Sequence, residues 1–388
     1  MGWIMNIYIV NPGDTVSSIA AVTGAAEEEL VYINQIAYPY LLAPGQALLL
    51  PPLEGGSADA DGRAAVMGGY AYPFIDEATL AETLNYLTSI YVFSYGFRAD
   101  GTLVAPQIDD TRMIQRALDR GVRPILTLTP FDTEGRFNNL LITSLLHNPP
   151  ARENLIQNLL NTVVQKQFAG VDVDFEYIIA SDRDLFTAFV AELRGRMNES
   201  GRTVSVALAP KTSDDQPGLL YEGKDYAGLG AAADSVLLMT YEWGHAYSPP
   251  MAVAPVDQVR RVVEYAVSRI DPAKINLGIP NYGYDWTLPF TEGAPRARTI
   301  GNIEAVQQAV EKGAEIYFDE TAQAPYYFYV EDGVTHEVWF EDVRSISSKF
   351  ALIEEFGLLG AGYWQLMRLF RANWILAAET FHIEGSSM

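Results

Sequence analysis

The sequence predicts an α/β protein built on a (β/α)8 barrel, the TIM barrel, with a small βααβ unit ahead of it. Three observations predict this. From residue 65 onward, short apolar runs alternate with amphipathic helical patterns in the order βαβα, as expected of a parallel sheet covered by helices. Eight such runs fit into about 320 residues, the size of one barrel carrying an insertion. The opening residues carry their own strand, turn and capping signals. They are set off by 53–64 (LEGGSADADGRA), a small, polar, Gly-rich stretch that reads as a linker.

Residues 4–52 form the N-terminal unit. The run 7–10 (IYIV) reads as a strand, Pro12-Gly13 as a turn and Asp14-Thr15 as the cap of a helix. Val16, Ile19 and Ala20 follow at helical spacing, and Gly24 ends that helix. Glu27, Glu28 and Glu29 sit in the first turn of a second helix, where carboxylates suit the dipole, and Leu30 and Ile33 give its buried face. Pro44-Gly45 turns the chain into a closing strand at 48–50, ended by Pro51-Pro52.

Across 65–384 the buried strands are predicted at 65–72, 89–97, 122–129, 169–176, 203–209, 235–241, 275–282 and 360–366. Helical patterns lie between them at 76–88, 110–120, 152–167, 182–198, 256–270 and 342–356. A doubly wound sheet is the alternative, but no Gly-rich phosphate loop follows an early strand; Gly68-Gly69 lies inside a strand, before Tyr70. The interval 285–341, between strands seven and eight, is too long for a single helix. It holds YYFYV and HEVWF around Asp332-Gly333, a favoured hairpin turn. A small α+β insertion on the C-terminal rim of the barrel is therefore expected, walling the active site.

Composition narrows the function. The chain of 388 residues is 49% apolar and 19% charged, enough to bury a large core. Its formal charge is 26 − 49 = −23, a field that repels nucleic acid and anionic membranes, and neither is expected as a partner. The absence of Cys excludes disulfides, thiolate metal sites and Cys nucleophiles. His147, His245, His336 and His382 show no ligand spacing, so neither a metal nor another cofactor is expected. The N-terminal residues lack a signal-peptide pattern, and no apolar run reaches membrane-spanning length. Nothing in the pattern demands a dimer, and a monomer is expected. Aromatics reach 12%, led by 22 Tyr, a supply suited to stacking a flat, partly wet ligand.

The chemistry concentrates in 171–176, V-D-V-D-F-E. With period two, Val171, Val173 and Phe175 face the helices, whereas Asp172, Asp174 and Glu176 face the barrel interior. Interior carboxylates are costly and repel one another, so at least one should hold a proton near neutrality. No Lys or Arg interrupts the stripe. Glu176 comes last, at the C-terminal end where barrel enzymes place their chemistry. A protonated Glu beside an ionised Asp is the equipment of a general acid acting on a glycosidic oxygen.

Two resemblances extend this reading. Tyr8-x-Val10, Gly13-Asp14-Thr15, Ile19-Ala20, Leu30, Asn34 and Leu42-x-Pro44-Gly45-Gln46-x-Leu48 with Pro51 resemble a LysM module. That resemblance implies binding of glycans containing N-acetylglucosamine, peptidoglycan or chitin. The implied groove lies between residues 13–16, with Gly13, Asp14 and Thr15 as candidates, and roughly 38–44. The carboxylate strand is similar to the D-x-x-D-x-D-x-E signature of family 18 glycoside hydrolases, with Ala169 in place of the first Asp. Met239-Thr240-Tyr241-Glu242 resembles that family's sixth-strand motif and Gly362-Tyr363-Trp364-Gln365-Leu366 its eighth; the third-strand Ser-x-Gly-Gly reads Thr127-Leu128-Thr129-Pro130.

The family resemblance implies substrate-assisted, retaining hydrolysis in which the 2-acetamido group attacks its own anomeric carbon. Glu176 would be the acid and base, Asp174 would accept the acetamido N–H and Asp172 would support Asp174. Tyr241 would donate to the acetamido carbonyl and Trp364 would stack under the ring. Met239 and Glu242 join the substrate-binding set, with Glu242 binding sugar or tuning Glu176. Tyr70, Tyr95 and Tyr282 end other strands and are candidates to contact the sugar. A LysM module followed by this barrel looks like the spore cortex-lytic N-acetylglucosaminidases, made in the cytoplasm of the mother cell and deposited on the spore. A chitinase and a non-catalytic glycan-binding protein remain the alternatives.

Overall fold

The computed structural model describes residues 7–51, 62–131, 138–293 and 295–385. Most of the expected linker, 53–61, lies outside the described residues, as do positions 4–6 and 52 of the expected N-terminal unit. Eight parallel strands close on themselves. They are Ala64–Ala71, Ser89–Phe97, Arg123–Leu128, Gly170–Val173, Thr203–Leu208, Ser235–Leu238, Ile275–Pro280 and Gly360–Trp364. Closure is visible at Gly68, which pairs with Ser89 of the second strand and with Gly362 of the eighth. Outward-facing Val, Ile and Leu of these strands pack under the helices as the main core. Glycine at 68 leaves room inside the barrel: a Cβ there would stand 2.7 Å from the Tyr91 ring.

The fourth strand is shorter than expected. Its ladder with strands three and five stops at Val173. Asp174 still donates its N–H to Leu128 O at 2.9 Å, and the chain then leaves the sheet. The two outer carboxylates therefore sit on the rim of the barrel, free of the ladder.

The insertion begins at Gly283, directly after the seventh strand. It is a five-stranded antiparallel sheet in the order Arg298–Ile300, Gly283–Thr287, Val334–Trp339, Ala324–Glu331, Tyr317–Asp319, with helix Asn302–Lys312 against it. At its hairpin, Asp332 and Gly333 both have positive φ, 51° and 76°, the pattern of the mirror-image turn whose twist suits paired strands.

The N-terminal unit is βααβ. Ile7–Ile9 pairs antiparallel with Ala47–Leu49 around helices Val16–Thr23 and Glu27–Ile33. Thr15 caps the first helix in a reciprocal bond with Ser18, and Gly24 ends it at φ 77°. Asn34 joins the second helix to the closing strand, donating to Leu30 O and Leu49 O and accepting from Leu49 N. The unit is docked on the barrel: Ile33 and Leu49 belong to the main core, and Ile316 N donates to Pro44 O at 2.8 Å. A cavity of about 370 Å³ lies along this seam, between residues 34–41 and helix Asn302–Lys312, and Asp172, Asp174 and Glu176 are not among its lining residues.

Candidate active site

Phase along the fourth strand is fixed by packing. Phe175 is fully buried and stacks on Phe186 and Phe189 of the covering helix, with ring centroids 5.8 and 6.0 Å away. The alternate residues then turn inward, as the period-two pattern requires. Asp172 is fully buried; its Oδ2 accepts from the Tyr70 hydroxyl at 2.9 Å and its Oδ1 from Ser205 Oγ at 2.6 Å. Asp174 is buried, yet its Oδ1 has no hydrogen-bond partner among the described residues. Glu176, half-buried, is the outermost of the three.

Against the Phe175 carbonyl lies a cation that the sequence pattern did not reveal. Lys224 is fully buried; it donates to the carbonyls of Phe175 and Ala207. Burial raises the pKa of Asp172 to about 6, against the pull of Ser205, Tyr70 and the Lys224 charge. Burial, then the neighbouring Glu176 and Asp172, push Asp174 well above the usual carboxylate range. Glu176 is also raised, by burial and by Glu242, with Lys224 opposing. Burial lowers Lys224 to about 8, and the three carboxylates hold it from falling further. Burial thus favours the protonated form of both Asp174 and Glu176, the direction a general acid needs.

The walls come from other strand ends. Tyr241, partly buried, has a hydroxyl with no protein partner among the described residues, and burial with the facing carboxylates holds it protonated, well above its usual pKa. Glu242, at φ 69°, is held by two hydroxyls: Tyr282 and Tyr284 both donate to its Oε1, the latter at 2.9 Å. Trp364 forms a floor between two apolar clusters, 4.8 Å from Phe93 and 6.3 Å from Tyr72 by ring centroids. Met239 packs in the same group.

Several candidates sit otherwise than expected. Tyr95 is on the outer face of the barrel, buried against Phe168, with its hydroxyl on Asp110. The pairing of strands two and three slips between Val92 and Tyr95, which reverses the inside–outside phase and removes Tyr95 from the site. Tyr70 is inside the barrel, stacked on Tyr91 with its ring 5.7 Å from that of Trp364, and its hydroxyl is committed to Asp172. Tyr282 is buried and holds Glu242. In the N-terminal unit, the Asp14 carboxylate closes its own loop, accepting from the Tyr8 hydroxyl and Asn11 N, while Gly13 adopts φ 89° and Thr15 is the cap. Three residues of the site escaped the sequence reading. Ser205 was signalled by register, since it pairs directly with Asp172. Tyr284 lies two residues past Tyr282, beyond the strand end. Lys224 lies in a connection with no periodic pattern.

Residues 134–368 match the pattern of Glycosyl hydrolases family 18, and residues 8–51 match the LysM domain. The chain belongs to glycoside hydrolase family 18. It is 36% identical to the cortical fragment-lytic enzyme of Bacillus subtilis, an alignment covering 98% of this chain and 99% of that one. In three dimensions it is similar to the spore cortex-lytic enzyme SleL of Bacillus cereus, with a TM-score of 0.82, 33% identity and coverage of 100% and 89%. SleL of Bacillus megaterium gives 0.80, 34%, 97% and 86%. Family 18 enzymes use the substrate's own acetamido group as nucleophile.

Proposed function

We propose that this chain hydrolyses β-1,4 links after N-acetylglucosamine in spore cortex peptidoglycan, with retention of configuration. The observation that carries the reading is a Glu176 whose pKa burial raises, two residues from an Asp174 whose Oδ1 has no partner among the described residues, with the Tyr241 hydroxyl likewise unpartnered there. Glu176 gives its proton to the glycosidic oxygen as the bond to the anomeric carbon breaks. The acetamido carbonyl oxygen of the same sugar forms the new bond to that carbon, leaving a cationic oxazolinium ring. Asp174 accepts the acetamido N–H and opposes the positive charge; Tyr241 donates to the carbonyl oxygen and orients it; Trp364 lies under the sugar. Glu176, now a carboxylate, takes a proton from water, whose oxygen attacks the anomeric carbon and reopens the ring. Asp172, tied to Tyr70 and Ser205, holds the charge balance behind Asp174.

The LysM module supports a polymeric glycan as the substrate, and the two SleL structures and the cortical fragment-lytic relative favour cortex over chitin. In this reading the protein is made in the mother cell and placed on the spore. The test is release of reducing ends by wild type and Glu176→Gln from cortex fragments containing muramic lactam, and in parallel from chitotetraose. Loss of release in the variant, with cortex fragments preferred by the wild type, is expected. Equal inertness of both proteins with retained glycan binding would make the chain a lectin; preference for chitotetraose would make it a chitinase.

A further inference from the structure

Lys224 has no part in the reaction as written, and its burial calls for a physical reason. It lies between the fifth strand (Thr203–Leu208) and helix Tyr226–Ala232, fully enclosed. An ammonium group is retained inside a protein only where carbonyls and opposite charges compensate for lost water. Its Nζ donates to Ala207 O at 3.3 Å and to Phe175 O, and the Phe186 ring lies 5.2 Å away. Phe175 stands between Asp174 and Glu176 in sequence, past the last ladder pair at Val173. No backbone N–H of the described residues reaches that carbonyl. The lysine therefore holds the stretch of chain on which both carboxylates depend.

We propose that Lys224 is a positioning residue for glycoside hydrolysis: its ammonium fixes the Phe175 carbonyl so that Asp174 and Glu176 face one sugar together. This rests on the family 18 reading of the site. The charged groups facing Lys224 are Asp172, Asp174 and Glu176; Tyr241 and Glu242, beyond the sixth strand, face the carboxylates. The lysine's charge lowers all three acids, so its removal moves both limbs of the pH–activity profile to higher pH.

The experiment compares wild type with Lys224→Met, which keeps length and removes charge, and with Lys224→Met combined with Asp172→Asn, which also removes one opposing charge so that the fold tolerates the change. The expected single variant shows a kcat lower by about 10²-fold, the scale of a misplaced catalytic group, with KM little changed and both limbs raised. The double variant is expected to regain part of the limb position but not kcat, because the Phe175 carbonyl stays unheld. Wild-type kcat in either folded variant overturns the proposal. So does a lower kcat with unmoved limbs, or failure of both variants to fold, since the lysine then serves only the fold. If the wild type cleaves no glycan, the functional reading itself fails. The Lys224 coupling is then read from the pH dependence of the thermal midpoint, which needs no turnover.

Discussion

At the scale of single residues, Glu176 is the proposed acid and Asp172 carries the cost of burial. Replacing Glu176 by Gln removes the proton but keeps the shape, so kcat on a natural glycan should fall by about 10²–10⁴-fold, the range for a lost general acid. On a nitrophenyl glycoside the leaving group needs no proton, so release of nitrophenol in the first turnover should fall much less, although the later water step still lacks its base. A first-turnover loss as large as that on the natural glycan would remove Glu176 from the acid role. For Asp172 the sign follows from linkage. The unfolded chain releases this proton near pH 4, and the folded protein releases it at about 6. Between those values the folded state binds more proton, so stability falls as pH rises through the window, by up to about 3 kcal/mol at 1.36 kcal/mol per unit. Asp174 and Glu176, also raised, push the same way. Urea midpoints at pH 4.5 and 7 should therefore differ less in Asp172→Asn than in wild type, with the variant gaining relative stability at pH 7. A larger difference in the variant would contradict the assigned burial.

At the scale of elements, local sequence specified most of what position the site needs. The barrel strands begin within about one residue of their predicted starts because apolar runs bounded by turns admit few registers, whereas the fourth and sixth end early, at Val173 and Leu238. The carboxylate stripe was legible for the same reason: Val171, Val173 and Phe175 must go under the helices, which turns the acids inward. What was hidden depends on pairing between distant segments. The slip that turns Tyr95 outward is a property of two strands, and Lys224 meets the carboxylates only after the fifth strand is placed beside the fourth. Two tyrosines from the seventh strand end and the insertion converge on Glu242 in the same nonlocal way. The insertion hairpin gives a test of a local signal. Gly333, at φ 76°, meets no neighbour where a Cβ would stand, so a Gly333→Val change is penalised by backbone conformation alone. It should cost about 1–2 kcal/mol, the price of left-handed backbone for a residue bearing a Cβ, read as a lower urea midpoint. An unchanged midpoint would mean that the turn is free to change type.

At the scale of the whole molecule, the question is whether the LysM module and the barrel act as one body. The seam is specific. Arg371, from the last helix of the barrel, pairs with Glu82, lies with its guanidinium 3.9 Å from the centroid of the Tyr32 ring, and donates to Tyr32 O at 2.7 Å. Its backbone N–H reaches Gln35 Oε1 at 2.7 Å. At the other end of the seam, a Cβ on Gly45 would stand 1.8 Å from Ile316 O, so any side chain there must part the modules. None of these contacts involves Asp172, Asp174 or Glu176. Gly45→Val combined with Arg371→Ala should therefore leave turnover of a short soluble oligosaccharide close to wild type while loosening the module, read as a larger radius of gyration in solution scattering. Docking fixes the direction in which a bound strand leaves the module, whereas a loose tether only raises local concentration. If docking delivers the strand to the cleft, the double variant should lose rate on insoluble cortex and keep its affinity for it. If rate on the insoluble polymer is unchanged while the modules are demonstrably apart, the module serves as an anchor alone, and the seam contributes stability without guiding substrate.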